Sequence, residues 1–578
     1  MRTPIARLFL VAASLLAVQS DAFAQRKSRR GGGDSSASKE PVASAPAADA
    51  APEATGKKKR KKRQEAVVAV EAGQLTELGA QGKRLFNDGK YADAAVLLDR
   101  VSKGEAGDTQ ENRDEARFNL AKALYYVKLY QHSYAIFSEI AENRSHPKYQ
   151  ETLLWLAKLA TDLPEPADIV ERVGKYDDAA IERFNNPEQQ DLYWELSYLM
   201  GRYKYRNRLW DEALLLFGKV DRRSKYYVQA QFFSGVSFVQ QRKSVPAVQA
   251  FQRIVGAVEE GQGGDDGSRL KDLAYLSMAR TYYSASVRVD DVTNAPTVDS
   301  SKLSAAVKYW NLVDDDSEYW LEALFEESWA YYMAGDYSHA LGNVHTIEAP
   351  YFPKSYFPEG QVLKAVIYFS NCQFEDAQTV AAKIQAKYKP ISDELTTLVA
   401  TYPDGTDEPL EKFLVQVRAG STALAPHVRP VVELALGDRQ ILRFLDYVKM
   451  LDDETARLAE MPAELRKSGL GSDIKDNVEL ARTLAVQGVG KLARERFRRN
   501  LDEIGEQLRN TDKIVIDVLA AQRNQLEQAL VDAQVSETES QRNIVVADAE
   551  HVVWPFQGEF WRDELGFYRQ TITSKCGR

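Results

Sequence analysis

Apolar positions in this chain fall into a pattern that repeats. From about residue 64 they recur three and four apart in paired runs broken by short polar turns, the periodicity of amphipathic helices packed as hairpins. The first complete copy reads Gly82, Leu85, Gly89, Tyr91, Ala94, Leu98, Val101. The same offsets return as Ala121, Leu124, Tyr130, Phe137, Ile140, then as Gly201, Trp210, Ala213, Phe217, Val220 and as Gly235, Phe238, Ala247, Phe251, Ile254. They recur again as Tyr331, Gly335, Tyr337, Ala340, Val344, Ile347 and as Ala365, Tyr368, Phe374, Ala377, Ile384. Aligned on the small residue of the second helix, Ala213 leads to Ala247 and Ala306 to Ala340, each a step of 34. Small residues let two helices close to short range, and the aromatic after the turn plugs the mouth of the pair.

Helix pairs with a 34-residue step resemble the tetratricopeptide repeat family, over about residues 74–390. The resemblance implies an all-α solenoid of about eight helix pairs that binds other proteins and is not an enzyme. Two copies depart from the pattern. Trp155-Leu156-Ala157 is followed by Pro164 and Pro166 where the turn belongs, and the copy opening at Ala279 and Tyr282 resumes only at Ala306, Trp310 and Val313. The extra residues there, Val287 to Ser301, read as a surface loop. In the family the first helix of each repeat lines a groove, and its exposed positions transfer here to Tyr198, Arg202 and Tyr205 in one copy and to Phe325, Trp329 and Tyr332 in another. Packing between neighbouring repeats is the alternative use of such residues.

Beyond the repeats the packing chemistry changes: 24 of the 28 tyrosines lie in residues 91–370, as do six of the eight tryptophans. Residues 409–460 predict shorter helices, with Gly437-Asp438 as a stop and start and Pro462 as a terminator. A proline-free run from Ser472-Asp473 to about Val535 predicts one long helix of ~95 Å. Its apolar stripe, Phe497, Leu501, Ile504, Leu508, Val515 and Val518, approximates a coiled-coil seam, continued by Leu519, Leu526 and Ala533 after a one-residue slip. A second copy of the chain, giving a homodimer, is one candidate to cover that stripe; a fold-back on the solenoid or a partner are the others. Gly488 and Gly490 mark an expected bend. Arg494, Arg496, Arg498 and Arg499 beside Phe497 form a basic band that either grips an acidic surface or, the expected reading, is solvated and paired within the helix to Glu495 and Asp502.

The last segment holds Trp554, Phe556, Phe560, Trp561 and Tyr568 within fifteen residues. Large apolar side chains cost ~1.5–3 kcal/mol each to leave in water, so this tail has to dock, on its own chain or on a partner. An exported repeat array, a long helix and a tail reading WPF-x-GEFW-x-DELG-x-Y together resemble periplasmic subunits of gliding-motility and related envelope machines. That resemblance implies a scaffold within a motility or trans-envelope complex; an envelope-assembly or cell-wall coordination factor is the alternative.

Charge sharpens the N-terminal part. The net charge is −9, yet residues 25–63 carry twelve Lys/Arg against four Asp/Glu, ending in Lys57-Lys58-Lys59-Arg60-Lys61-Lys62-Arg63. An acidic chain of this kind is not, as a whole, a nucleic-acid binder. Arg2 and Arg7, the apolar run Leu8–Val18 and the triplet Ala22-Phe23-Ala24 predict a signal peptide cleaved near Ala24, with no cysteine at the site for a lipid anchor. No other run reaches the ~18 apolar residues of a membrane span. The basic segment is expected to be disordered, and either a spacer or an electrostatic contact with an anionic envelope surface. The organisation predicted is a signal peptide over 1–24, a basic linker over 25–63, the solenoid over 64–390, a helical connector over 391–471, the long helix over 472–548 and the aromatic tail over 549–578.

Reactive chemistry is sparse. Gly490-Lys491 lacks the remaining residues of a phosphate loop, and the six histidines include no i,i+4 pair. Asp314-Asp315-Asp316 reads as a solvated turn rather than a calcium loop. No catalytic, cofactor or metal site is expected. The two cysteines, Cys372 and Cys576, are candidates for a disulfide that would clamp the tail to the end of the repeats.

Overall fold

A computed structural model describes residues 74–164, 167–289, 296–353, 355–422, 424–531, 542–543, 547–549 and 551–576. The expected signal peptide, the basic segment 25–63 and Ala533 lie outside the described residues. Within them the chain is an all-α solenoid, and no helix is long and apolar enough to cross a membrane.

Eight helix pairs succeed one another. They are α1 (Glu77–Asn87) with α2 (Tyr91–Ser102), α3 (Gln110–Tyr126) with α4 (Tyr130–Glu142), and α5 (Thr152–Asp162) with two single turns, α6 (Ile169–Val173) and α7 (Asp178–Glu182). Then come α8 (Gln190–Arg206) with α9 (Trp210–Gly218), α10 (Tyr227–Gln240) with α11 (Ser244–Glu259), and α12 (Gly267–Ser286) with α13 (Ser300–Trp310). The last two are α14 (Trp320–Ala334) with α15 (Tyr337–Ile347), and α16 (Pro358–Ser370) with α17 (Phe374–Thr401). The irregular third pair falls where proline denies a backbone donor to a continuing helix. The extra residues after α12 are not wholly loop: β1 (Val287–Val289) and β2 (Pro296–Val298) pair antiparallel. Helix α17 runs past the expected boundary at residue 390 with Pro390 in its interior.

The repeat's small positions do what their size allows. Ala94, Ala213, Ala247, Ala306 and Ala340 are fully buried at the crossings. A Cβ added at Gly235 would stand 2.4 Å from the Phe251 ring, so that pair closes to a distance only glycine permits. Aromatic rings fill the space between pairs, as where Phe137 stacks on Trp155 at 5.7 Å.

After α17 the chain turns back. Helices α18 (Asp407–Arg418), α19 (Arg429–Leu436), α20 (Arg439–Glu460) and α21 (Ala463–Arg466) lead into α22, Gly469–Val531, a single helix of 63 residues. Helix α22 packs along α17 and α20 and reaches α4, α16 and α18. Between Phe497 and Val518 the helix is covered by its own chain, the fold-back among the three candidates. The buried face reads Phe497, Asn500, Ile504, Gln507, Thr511, Ile514, Val518, a strict alternation of three and four that includes three polar residues. Leu501 and Leu508 stand only partly buried beside it, and Leu519 and Leu526 are exposed. The helix is continuous through the two glycines, which have a packing role. Added Cβ atoms at Gly488 and Gly490 would meet the Phe444 ring at 2.2 Å and the Asp407 carboxylate at 2.3 Å, so they admit neighbouring helices. The basic band is also tertiary rather than intrahelical: Arg494 is buried against Asp404 and Asp407, Arg498 reaches Asp404 at 3.3 Å, and Arg499 reaches Asp438 at 3.9 Å.

Candidate protein-binding site

The six residues expected to line a groove are placed between repeats. Tyr198 stacks on Tyr226 at 4.9 Å, Tyr205 meets Phe233 edge-on at 5.0 Å, and Arg202 lies over the Phe233 ring at 5.3 Å. In the other copy Phe325 packs on Phe357, Trp329 meets Tyr332 edge-on, and the Tyr332 hydroxyl is 3.4 Å from that of Ser370. Tyr198, Tyr205, Trp329 and Tyr332 are buried, while Arg202 and Phe325 are half-buried. The four buried residues therefore follow the alternative use, packing between neighbouring repeats, while Arg202 and Phe325 keep part of their surface exposed.

The C-terminal helices tie the two ends of the array together. Lys103, just after α2, pairs with Asp473 of α22 at 2.8 Å, and Arg439 at the start of α20 pairs with Glu318 at 2.8 Å. At the far end Gln385 of α17 donates to Asp512 at 2.7 Å. The most enclosed of these links is Glu454 of α20. Helix α4 begins after Leu129, which has no side chain to cap it. The Glu454 carboxylate, 323 residues distant in sequence, accepts from the Gln131 backbone N–H at 3.1 and 3.2 Å. Helix N-termini leave such donors open and favour negative charge. Burial nevertheless pushes the Glu454 carboxyl up to about 7, outweighing the backbone donors around it. Glu327, buried beside Asn343, is pushed up to about 7 in the same way. Both lie enclosed among helices, so their shifts describe packing.

The tail docks on α15 and α16. Gly566 N–H donates to Thr346 Oγ1 at 3.0 Å, Gln570 N–H to the Ser338 carbonyl at 3.1 Å, and Lys575 N–H to the Asn371 carbonyl at 2.8 Å. The Tyr368 hydroxyl accepts from Gln570 Nε2 at 2.8 Å, and Gln373 Nε2 donates to the Thr573 carbonyl at 2.9 Å. At Gly342 the tail backbone lies so close that an added Cβ would stand 1.7 Å from the Tyr568 carbonyl oxygen. His345 is the hub of the aromatic contacts: Phe560 stacks on it at 4.5 Å, Phe556 and Tyr568 meet it edge-on at 4.7 and 5.1 Å, and burial lowers its pKa. The tail is fixed at its end by a disulfide between Cys372 and Cys576, whose Cα atoms are 5.0 Å apart. Residues Ile572–Thr573 also pair antiparallel with Arg542–Asn543.

Docking does not consume the tail's aromatic surface. Trp554 and Phe556 remain more than half exposed, Trp561 is 39% exposed, and Phe567 and Val552 face solvent almost fully. Of the five tail residues singled out by sequence, Phe556, Phe560 and Tyr568 meet the receiving helix; Trp554 and Trp561 pair with each other at 5.3 Å. The receiving residues, Gly342, Thr346, His345 and Tyr351, carried no sequence signal of their own. Asp314, Asp315 and Asp316 are exposed in a turn, where Asp314 accepts from the Asp316 backbone at 3.1 Å.

No family model and no curated protein matches the chain. Among solved structures it is similar to the apo form of RapI, at 11% identity and a TM-score of 0.30 over 62% of this chain and 96% of that one. It is also similar to a circular tandem repeat protein with novel repeat topology and enhanced subunit contact surfaces, at 13% identity and a TM-score of 0.14 over 79% and 98% of the two chains. The helical-repeat assignment rests on the helices themselves.

Proposed function

We propose that this chain is a non-enzymatic protein–protein interaction scaffold of the cell envelope, working as a subunit of a trans-envelope machine of the gliding-motility kind. The observation that carries the reading is the disulfide-fixed tail, which holds tryptophan and phenylalanine side chains outward on a rigid helical array. Trp-rich, preorganised surfaces are where binding energy concentrates in interfaces. A disulfide also suits an oxidising compartment, in keeping with the export signal read from Leu8–Val18. Crosslinking of intact cell envelopes, followed by mass spectrometry of what the chain captures, tests the reading. Motor-coupling or motility proteins are the expected catch. Cell-wall or outer-membrane assembly enzymes would transfer the chain to a coordination role, and cytosolic proteins alone would refute export.

A further inference from the structure

A cleft of about 280 Å³ opens where the last two repeats meet the connector, between α15, α16, α17 and the chain entering α19. It takes no residue from the tail, so it is independent of the surface on which the scaffold reading rests. Its walls are apolar: Val344, Ile347 and Ile391 are buried there, and Phe352 and Phe357 of the α15–α16 turn line it as well. At just under the ~300–1,000 Å³ of small-ligand pockets, such a space suits about one or two residues of a peptide rather than a folded surface.

The polar groups around the cleft do not satisfy one another. Glu348 is paired with Lys364 at 3.2 Å, and His427 with Glu394 at 2.9 Å. Lys387 stands exposed at the rim, 5.2 Å from the centre of the Tyr388 ring, and has no carboxylate partner among the described residues. The Tyr388 side chain is buried, yet its hydroxyl makes no hydrogen bond among the described residues. The half-buried Gln361 adds a carboxamide whose Oε1 has no donor. Buried polar groups are seldom left in this state. A cationic ligand would meet Lys387, and a phosphate group wants more donors than one ammonium and one hydroxyl. One carboxylate on an apolar body, with an N–H beside it, matches what the cleft offers. We propose that the cleft binds the C-terminal residue of a partner protein: an apolar side chain among Val344, Ile347 and Ile391, the carboxylate taken by the Tyr388 O–H and the Lys387 ammonium, and the last backbone N–H donating to the Gln361 carboxamide.

The probes are four fluorescein-labelled peptides, Gly-Ser-Gly-Ser followed by Val, Leu, Ile or Phe, each made with a free C-terminal carboxylate and as the C-terminal amide. They are titrated by anisotropy onto the full, disulfide-intact chain. Saturable binding of at least one free-carboxylate peptide is expected, weakened about tenfold or more by amidation and by Lys387→Ala, and about fivefold by Tyr388→Phe. Both variants keep the packing, since Lys387 is exposed and phenylalanine retains the buried ring of Tyr388. No saturable binding by any of the four overturns the proposal. So does equal binding of acid and amide forms, or binding indifferent to both variants. Displacement by N-acetyl-leucine at a Kd within about threefold of the peptide's overturns the protein terminus as ligand and assigns the cleft to a small acylated amino acid.

Discussion

Gly342→Ala is the sharpest test of how the tail is held, because two effects of opposite sign meet at one position. Gly342 lies in the interior of α15, where alanine is favoured over glycine by about 1 kcal/mol. A bare helix would gain that much. In the folded chain the new Cβ would stand 1.7 Å from the Tyr568 carbonyl oxygen and 2.4 Å from its carbon. Both are backbone atoms, so no rotamer relieves the clash and the strap must lift by more than 1 Å. The hydrogen bonds from Gly566 to Thr346 and from Gln570 to Ser338 and Tyr368 flank that point. Losing three bonds at about 1 kcal/mol each weakens the strap by about 3 kcal/mol, because the helix keeps its gain whether the strap is docked or lifted. Hydrogen exchange read by mass spectrometry over residues 566–576 should then speed up about 150-fold, with the rest of the array unchanged. Unchanged protection of the tail together with a higher melting temperature would refute the docking argument.

Three further outcomes follow from the packing. Glu454 and Glu327 hold a proton more tightly folded than unfolded, their carboxyls rising from 4.5 to about 7. Their stabilisation is thus complete below pH about 4.5 and lost as pH climbs to about 7, by about 3 kcal/mol each; urea midpoints between pH 4 and 8 should show the fall, and E454Q should remove its share of the slope. Reducing the Cys372–Cys576 bond opens a link spanning 204 residues, worth up to about 5 kcal/mol by loop-closure entropy. Dithiothreitol should therefore lower the melting temperature of the unaltered chain and leave C372S/C576S unmoved. Gly235→Ala drives a methyl into the Phe251 ring and should destabilise by about 1–3 kcal/mol despite its better helix propensity, a loss read by denaturant unfolding.

The helical pairs, their 34-residue step and the alanines at their crossings were legible because each depends on residues no more than 34 positions apart. The tail's need to dock was legible too, from the cost of six aromatics in water. The groove reading failed at Tyr198, Tyr205, Trp329 and Tyr332 because an aromatic on a first helix has the same spacing whether it faces solvent or the next repeat. The long helix failed in register for a related reason. Asn500, Gln507 and Thr511 look like surface residues until the helices covering them are in place, and then the face holding Phe497 and Ile504 is the one that closes.

Glu454 illustrates the limit most plainly. Nothing near it in sequence announces a helix cap, and nothing near Leu129 announces that α4 lacks one. The chain's sequence alone determined an all-α repeat, a long helix and an aromatic tail with a cysteine that could clamp it, since local periodicity and side-chain size decide those. Only the tertiary structure decided that the C-terminal helices span the array from α4 to α17, that the glycines of α22 admit Phe444 and Asp407, and that the strap crosses Gly342. Those contacts join residues hundreds of positions apart, and the free energy that selects them arises from surfaces that exist only after the local helices have formed.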